Sequence, residues 1–205
     1  MFFWKRKYKQ IRHWIEILHG RYLFHIKVAI PWNARTEGEE FIKIGKDCVF
    51  QKHIWLEVIR SPELDRSNKP RLIIGDRVSI EEFVHIGCLT KIEIGNDVLM
   101  GSKIYISDHN HGIYSGELQD SPYIPPKQRK LTQGEPIRIG DRVWIGEFVT
   151  ILPGVTIGEG AIIGAMSIVT HDIPPNTIAL GSPARVVKRW DESLKEWVRE
   201  DNSRA

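Results

Sequence analysis

An aliphatic residue recurs at every sixth position in the C-terminal half of this 205-residue chain. The repeat is carried by Ile139, Ile145, Ile151, Ile157 and Ile163, each followed four positions later by Val143, Val149, Val155, Ala161 or Ser167. An amphipathic helix places apolar residues at steps of three and four, and a half-buried strand alternates, so neither sustains a period of six. A period of six is typical of a hexapeptide solenoid, whose short strands each point one aliphatic side chain into a narrow core.

The same period occurs earlier in the chain. It is carried by Ile74, Ile80 and Ile86, again by Ile94, Met100 and Ile106, and more weakly by Ile44, Phe50 and Leu56. The step from Ile86 to Ile94 is eight, which indicates a turn insertion near residues 87–91. Because three hexapeptides make one triangular turn, the repeats predict an all-β solenoid, a parallel β-helix of about five coils with strands about 4.8 Å apart.

The regions outside the repeat define the expected organisation. We expect an N-terminal helical capping segment over residues 1–40 and a β-helix domain over 41–181, from which loop 107–136 is extruded. Residues 182–205 are expected to form a C-terminal capping segment with a short helix at 191–199, because the open ends of a solenoid need covers.

The amino-terminal segment carries a helical stripe of aromatic and aliphatic residues. It consists of Trp4, Tyr8, Ile11, Ile15, Leu18 and Tyr22, at steps of three and four, with basic residues on the other side. Two roles are open for this helix. It covers the first coil or packs on a neighbour, or it makes peripheral contact with a membrane surface as a cationic aromatic helix.

Composition limits the class of protein. With 41% hydrophobic and 27% charged residues, the chain is long enough for one core and too polar to be a membrane-spanning protein. A net charge of +3 is too small to indicate a nucleic-acid partner. The two cysteines, Cys48 and Cys88, argue against a disulfide framework. We therefore expect a cytoplasmic protein, with the inner face of the membrane compatible with the amino-terminal helix.

The long interruption of the repeat starts with two histidines. The period stops after Ile106 and resumes at Ile137, and long loops in compact domains are usually functional or disordered. Here the loop begins Ser-Asp-His-Asn-His at residues 107–111. Because histidine is the side chain best matched to accepting a proton near neutral pH, this segment predicts a general base.

Several motifs together resemble the hexapeptide-repeat acetyltransferases, over about residues 72–190. They are Arg-Val-Trp-Ile-Gly at 142–146, Ile-Leu-Pro-Gly-Val-Thr-Ile-Gly at 151–158, the run from Gly164 to Asn176, and Gly-Ser-Pro-Ala-Arg at 181–185. The chain looks most similar to the branch of galactoside, maltose and xenobiotic acetyltransferases, and within it to the O-acetyltransferases of lipopolysaccharide and capsule. The resemblance implies a left-handed parallel β-helix, a homotrimer with intersubunit active sites, acetyl-CoA as co-substrate, and acetyl transfer to a sugar hydroxyl in cell-surface polysaccharide biosynthesis.

The resemblance also implies roles for individual residues. His109 matches the catalytic histidine of the loop. Apart from the resemblance, we expect Asp108 or His111 to orient it, because a histidine base needs its second nitrogen fixed. For the acyl donor, Trp144 matches the tryptophan of the cleft. The other matching donor positions are Ala165, Thr170 and His171 along the groove, and Arg185 and Lys188 near the nucleotide phosphates. Guanidinium and ammonium groups suit phosphate recognition.

The acceptor side departs from the family. Galactoside and maltose acetyltransferases carry an aspartate on the coil before the catalytic histidine, whereas residues 81–89 here read Glu-Glu-Phe-Val-His-Ile-Gly-Cys-Leu. With no aspartate at the matching turn, the acceptor must be held differently, and Glu81, Glu82 and His85 are the candidates.

Other functions remain open from the sequence. The acceptor could be a xenobiotic of the chloramphenicol type, or a sugar amine in an N-acetyltransferase. A zinc site of the carbonic-anhydrase-like β-helices would need three protein ligands, for which His85, His109 and His111 have the wrong spacing, so no metal is expected. A non-catalytic scaffold would not need the Asp-His-Asn-His segment or Trp144.

Overall fold

The chain forms a parallel β-helix preceded by one long helix. The computed structural model describes residues 2–67, 69–132 and 134–200, and the side chains of residues 2–6 and 9 are outside this description. The helical elements are α1 (Phe2–Phe24), α2 (Pro62–Asp65) and two single 3-10 turns at Glu39–Phe41 and Pro126–Gln128.

The strands build three faces of a triangular solenoid. Face 1 contains β1 (Arg35–Glu37), β4 (Trp55–Val58), β7 (His85–Cys88), β10 (Tyr105–Ser107), β13 (Thr150–Ile151) and β16 (Ile168–Val169). Face 2 contains β2 (Ile42–Ile44), β5 (Leu72–Ile74), β8 (Ile92–Ile94), β11 (Ile137–Ile139) and β14 (Thr156–Ile157). Face 3 contains β3 (Val49–Phe50), β6 (Ser79–Ile80), β9 (Leu99–Met100), β12 (Trp144–Ile145), β15 (Ile162–Ile163), β17 (Thr177–Gly181), β18 (Ala184–Asp191) and β19 (Glu196–Arg199).

The hexapeptide period is the register of the coils. Ile86, Ile106 and Ile151 pair in parallel on face 1, and all three are fully buried. The isoleucines and the small residues four positions later line one continuous core, which also includes Cys48 and Cys88 as buried free thiols. β1 to β15 make five complete coils, and a sixth follows through β16, a bridge between Ile157 and Ile173, and β17. The predicted β-helix is thus confirmed, and its first strand begins at Arg35, ahead of the expected boundary at residue 41.

Glycines after the inward isoleucines allow the coils to approach each other at the corners. A Cβ added to Gly146 would lie 2.6 Å from the backbone nitrogen of Ala165 on the next coil. Real Cβ contacts are never this short, so the coil spacing of face 3 requires glycine here.

Three connections that carry inserted residues lie at one corner, where face 1 passes to face 2. They follow β4, β7 and β10 and comprise residues 59–71, 89–91 and 108–136. The second is the turn insertion that the eight-residue step predicts, and the third is the expected extruded loop. These connections enclose a cavity of about 820 Å³, lined on its three sides by Arg60, Leu89 and Lys130 among others. We call this edge the loop corner.

The amino-terminal helix contacts the first coil through a different face from the expected one. Its buried side is formed by Glu16 and Gly20, and a Cβ on Gly20 would clash with the carbonyl oxygen of Val28. The apolar stripe is instead exposed at Tyr8, Ile11, Ile15, Leu18 and Tyr22, while the side chain of its first member, Trp4, lies outside the described residues. The end of the core is covered by the segment after the helix, where Val28 and Ile30 are buried. Within the described residues, no helix is both long and apolar enough to cross a membrane.

The prediction of a C-terminal helix at 191–199 is wrong. The chain forms an antiparallel hairpin of β18 and β19 that extends face 3 from β17. The physical reason is that β17 ends the stack with an unpaired strand edge, whose backbone groups need partners more than a short polar segment needs helical bonds. Trp190 and Trp197 pack edge to face across the hairpin, with ring centroids 5.5 Å apart.

Candidate active site

His109 and Asp108 form a hydrogen-bonded pair at the base of the extruded loop. The Nδ1 atom of His109 lies 3.0 Å from Oδ1 of Asp108. The Asp108 side chain is fully buried, and the His109 side chain is 10% exposed. β10 positions both residues, because they follow directly after its last residue, Ser107, whose hydroxyl donates to the His109 carbonyl at 2.9 Å.

The Asp108 carboxylate is held by the turn insertion of the preceding coil. It accepts hydrogen bonds from the backbone N–H groups of Leu89, Thr90 and Lys91 at 2.7, 2.7 and 2.8 Å. Burial by itself would raise the pKa of Asp108, but the bonds from His109 and from these three amides outweigh it and hold the pKa below its ordinary value. The group is therefore a buried carboxylate anion.

The charge of Asp108 decides the tautomer of His109. An ionised carboxylate can only accept hydrogen bonds, so Nδ1 of His109 carries the hydrogen and donates it. In the neutral imidazole the lone pair then lies on Nε2, at the opposite side of the ring. This is the arrangement that a general base requires.

A buried arginine, Arg71, stabilises the turn insertion at residues 89–91. Nη1 of Arg71 donates to the carbonyl oxygen of Leu89 at 2.5 Å, and its Nη2 donates to Asp65 at 2.8 Å. The side chain of Arg71 is only 5% exposed. Sequence reasoning missed this residue, because its contact to Leu89 depends on how two coils stack. A charged residue at the edge of a buried strand, just before Leu72, was the available signal.

The loop is closed at its base by hydrogen bonds between its two ends. The N–H of Asn110 donates to the Thr132 hydroxyl at 2.9 Å, and the N–H of Thr132 donates to the Asn110 carbonyl at 2.9 Å. The N–H of Glu135 donates to the carbonyl of Asp108 at 2.7 Å. These bonds fix the residues that flank His109, while the tip of the loop exposes Leu118 and Tyr123.

His111 occupies a different environment from His109. It is exposed, its backbone forms a bridge with Leu131, and its carbonyl oxygen accepts a hydrogen bond from the hydroxyl of Tyr114. Within residues 2–67, 69–132 and 134–200, no group of three His, Cys, Asp or Glu side chains is arranged to hold a metal ion.

His85 lies beside the pair of His109 and Asp108, on the neighbouring strand of face 1. Its ring stacks on Trp55, with centroids 3.9 Å apart and planes 3° from parallel, and its Nε2 lies 3.4 Å from Oε2 of Glu57. Burial lowers the pKa of His85 and outweighs the opposing effect of Glu57. Of the three acceptor candidates, His85 is the one that the structure brings near His109. Glu81 and Glu82 lie where face 3 passes to face 1, at the other edge of that face.

The residues expected to bind the donor are divided between the loop corner and face 3. Thr170 and His171 follow β16 at the loop corner, and His171 shares a groove of about 270 Å³ with Arg185. Trp144, which is 51% exposed, lies on face 3 in β12, and Ala165 follows β15 where face 3 passes to face 1. Lys188 lines a separate groove with Arg199, so within one chain it does not share the groove of Arg185.

A hexapeptide β-helix whose extruded loop begins with a carboxylate-held histidine defines the class of β-helical acyltransferases. The family described as "Bacterial transferase hexapeptide (six repeats)" matches residues 136–171. The Escherichia coli (strain K12) protein named "Putative lipopolysaccharide biosynthesis O-acetyl transferase WbbJ" is 41% identical over 135 residues, which cover 65% of this chain and 68% of that protein.

Solved structures agree with this class. A galactoside acetyltransferase in complex with coenzyme A is 27% identical, with a TM-score of 0.52, and the match covers 82% of this chain and 71% of that one. AntD, an N-acyltransferase from Bacillus cereus, has a TM-score of 0.64 at 22% identity, and the match covers 82% of this chain and 83% of that one. This likeness supports the fold. The chain belongs to the hexapeptide-repeat transferase family, and it is an acetyltransferase with the left-handed β-helix of that family.

Proposed function

We propose that this protein transfers an acetyl group from acetyl-CoA to a hydroxyl of a sugar during the synthesis of a cell-surface polysaccharide. The observation that carries the proposal is the hydrogen bond from His109 to the buried Asp108 carboxylate. The relatives point to the same chemistry. One is named a lipopolysaccharide O-acetyl transferase, and another is a galactoside acetyltransferase bound to coenzyme A.

His109 acts as the general base of the transfer. Its Nε2 accepts the proton of the acceptor hydroxyl as the oxygen attacks the thioester carbonyl carbon, and the imidazolium that forms is stabilised by Asp108. When the C–S bond breaks, the same proton passes to the sulfur and free coenzyme A leaves. A general base of this kind contributes about a hundredfold to ten-thousandfold in rate.

The donor site is built between subunits of a trimer. Support comes from the division of the donor residues, because in one chain Trp144 lies on face 3 while His109 follows face 1 at the loop corner. In a ring of three β-helices, we propose that the loop corner of one subunit packs beside face 3 of its neighbour. Ala165 would then line the pantetheine groove from one side, and Thr170 and His171 from the other. Arg185 and Lys188 are proposed to bind the nucleotide phosphates.

The amino-terminal helix is proposed to contact a membrane at its periphery. Its apolar stripe is exposed, for instance at Ile11 and Ile15, and its sequence carries six Lys and Arg residues against one acidic residue, Glu16. Such a helix suits an anionic lipid surface. Co-sedimentation with vesicles of anionic and of neutral lipids tests this contact. Equal sedimentation with both lipids, or none with either, would contradict it.

The acetyl transfer itself is tested by release of free coenzyme A from acetyl-CoA, with nucleotide sugars, glycan fragments, simple glycosides, amino sugars and chloramphenicol as acceptors. Release that depends on a sugar with a free hydroxyl, with an O-acetyl ester in the product, supports the proposal. Release with amino sugars or chloramphenicol alone would replace it with one of the two other acceptor classes. Absence of acetyl-CoA binding would contradict an acetyltransferase altogether.

A further inference from the structure

Face 1 carries two parallel rows of outward side chains that run towards the catalytic histidine. In the first row, Arg35, Trp55, His85 and Tyr105 are in register on successive coils. In the second row, Glu37, Glu57, Gly87 and Ser107 are in register. Gly87 therefore interrupts the second row at the coil next to His109.

The first row is a rigid stack. The guanidinium of Arg35 lies 3.9 Å from the ring centroid of Trp55 on one side, and the His85 ring stacks on the other. Because neither face of the indole is free, the stack fixes His85, and the Nε2 atom of His85 fixes the Glu57 carboxylate from one side. Glu57 is 21% exposed, so its carboxylate is held by His85 and is still partly open to solvent.

The missing side chain of Gly87 leaves a space that three functional groups share. A Cβ built there would lie 3.5 Å from Cε1 of His109, 3.7 Å from Nε2 of His85 and 3.9 Å from Oε2 of Glu57. These are ordinary contact distances, so an added methyl would fit without displacing its neighbours. The same space is where a small polar group can touch Glu57 and the base together.

We propose that Glu57 and Gly87 form the acceptor subsite, which holds a second hydroxyl of the sugar, adjacent to the one that His109 deprotonates. The inference rests on the proposed acetyl transfer and deepens it to an acceptor with two neighbouring hydroxyls. The carboxylate of Glu57 accepts the hydrogen bond of the second hydroxyl, and the space at Gly87 admits the carbon that links it to the reacting one. Glu57 thereby supplies the acceptor-binding carboxylate, in place of the aspartate that residues 81–89 lack.

The test compares Glu57→Gln, Gly87→Ala and the control Glu37→Gln. Glu37 lies in the same row one coil further from His109, and its carboxylate is occupied by Arg35 at 3.0 Å. The probes are the methyl glycosides of galactose, glucose and mannose, with their monodeoxy analogues. For wild type and each variant, kcat/KM is measured at saturating acetyl-CoA with each glycoside and its monodeoxy analogues. The affinity for acetyl-CoA is measured by calorimetry.

The expected result has two parts. In wild type, kcat/KM is about 10- to 100-fold higher for a glycoside than for the analogue that lacks the neighbouring hydroxyl, which corresponds to one hydrogen bond to a charged group. In Glu57→Gln, this ratio falls to about one. Gly87→Ala lowers kcat/KM for the full glycoside by at least about tenfold, through KM, because its methyl fills the shared space. Both variants bind acetyl-CoA like wild type, and Glu37→Gln keeps the wild-type preference.

Three outcomes overturn the subsite. The preference is retained in Glu57→Gln, or Gly87→Ala has wild-type kinetics, or wild type binds acetyl-CoA but acetylates none of the glycosides. Each of these leaves acetyl transfer standing. Failure of wild type to bind acetyl-CoA at all would instead contradict the proposed function.

Discussion

The Oδ1 atom of Asp108 accepts two hydrogen bonds from different coils, from Nδ1 of His109 at 3.0 Å and from the backbone N–H of Leu89 at 2.7 Å. The two irregularities of the hexapeptide period, the eight-residue step and the extruded loop, therefore meet at one carboxylate. The same hydrogen bonds therefore stabilise the loop corner and orient the His109 base.

Replacing Asp108 with Asn is expected to lower kcat by about 10- to 100-fold, in line with the effect of losing an orienting partner of a functional histidine. The amide can no longer accept from all four donors, so His109 loses its fixed tautomer. The measurement is kcat and acetyl-CoA affinity for both proteins. Unchanged turnover in Asp108→Asn would show that the carboxylate does not orient the base.

The same variant is expected to change how stability depends on pH. Because the pKa of Asp108 is held below its ordinary value of 3.8, the ionised carboxylate stabilises the folded state above that value. This contribution is lost as pH falls through the lower pKa of the folded protein. Urea midpoints of wild type and Asp108→Asn should therefore differ by a constant amount above about pH 5 and converge in more acidic solution. A difference that does not depend on pH would contradict this assignment.

Arg71 is expected to act on both stability and turnover. Arg71→Met keeps most of the buried stem but removes the charged donor to Leu89, which is expected to cost about 1.5–3 kcal/mol of unfolding free energy and to reduce kcat several-fold. The control is Arg77→Met, whose ion pair with Asp97 is exposed and contributes little. Denaturant unfolding and steady-state kinetics check both. Equal effects of the two changes would count against a supporting role for Arg71.

The core is expected to respond to truncation according to the direction of each side chain. Ile80 points inward on β6 and is fully buried, so Ile80→Ala should lower the free energy of unfolding by about 2–5 kcal/mol. Val49 points outward on the paired strand β3 and is 49% exposed, so Val49→Ala should change it far less. Similar losses from both variants would mean that the period does not define the core.

Much of the fold could be predicted because the period of six specifies burial directly. The five isoleucines of the repeat are all inward, namely Ile139, Ile145, Ile151, Ile157 and Ile163, and the step of eight correctly places the insertion before β8. The two elements that differ both depend on what the ends of the solenoid offer as partners. The hairpin of β18 and β19 exists because β17 has a free edge, and the stripe of α1 is exposed because the glycine face of the helix approaches the coil more closely.

His109 could be proposed as the base from the loop sequence and the family resemblance, but its surroundings could not be predicted. The bonds between Asp108 and residues 89–91 join positions at least 17 apart, and they depend on the register between two coils. Glu57 was missed for the same reason, since 28 residues separate it from His85 and only the pairing of β4 with β7 brings them together. Leu56 and Ile86 are both inward positions of the repeat, and aligning them places Glu57 beside Gly87 on the next coil. This alignment was the signal that could have identified Glu57.

The central claim is that His109, and not the neighbouring His111, removes the proton of the acceptor. The most direct measurement compares kcat for acetyl transfer in His109→Ala and His111→Ala, two changes of the same chemistry two residues apart, with acetyl-CoA affinity measured alongside. We expect His109→Ala to lose about a hundredfold to ten-thousandfold in kcat at unchanged acetyl-CoA affinity, and His111→Ala to stay near wild type. Retention of turnover in His109→Ala, or an equal loss in both variants, would contradict the account.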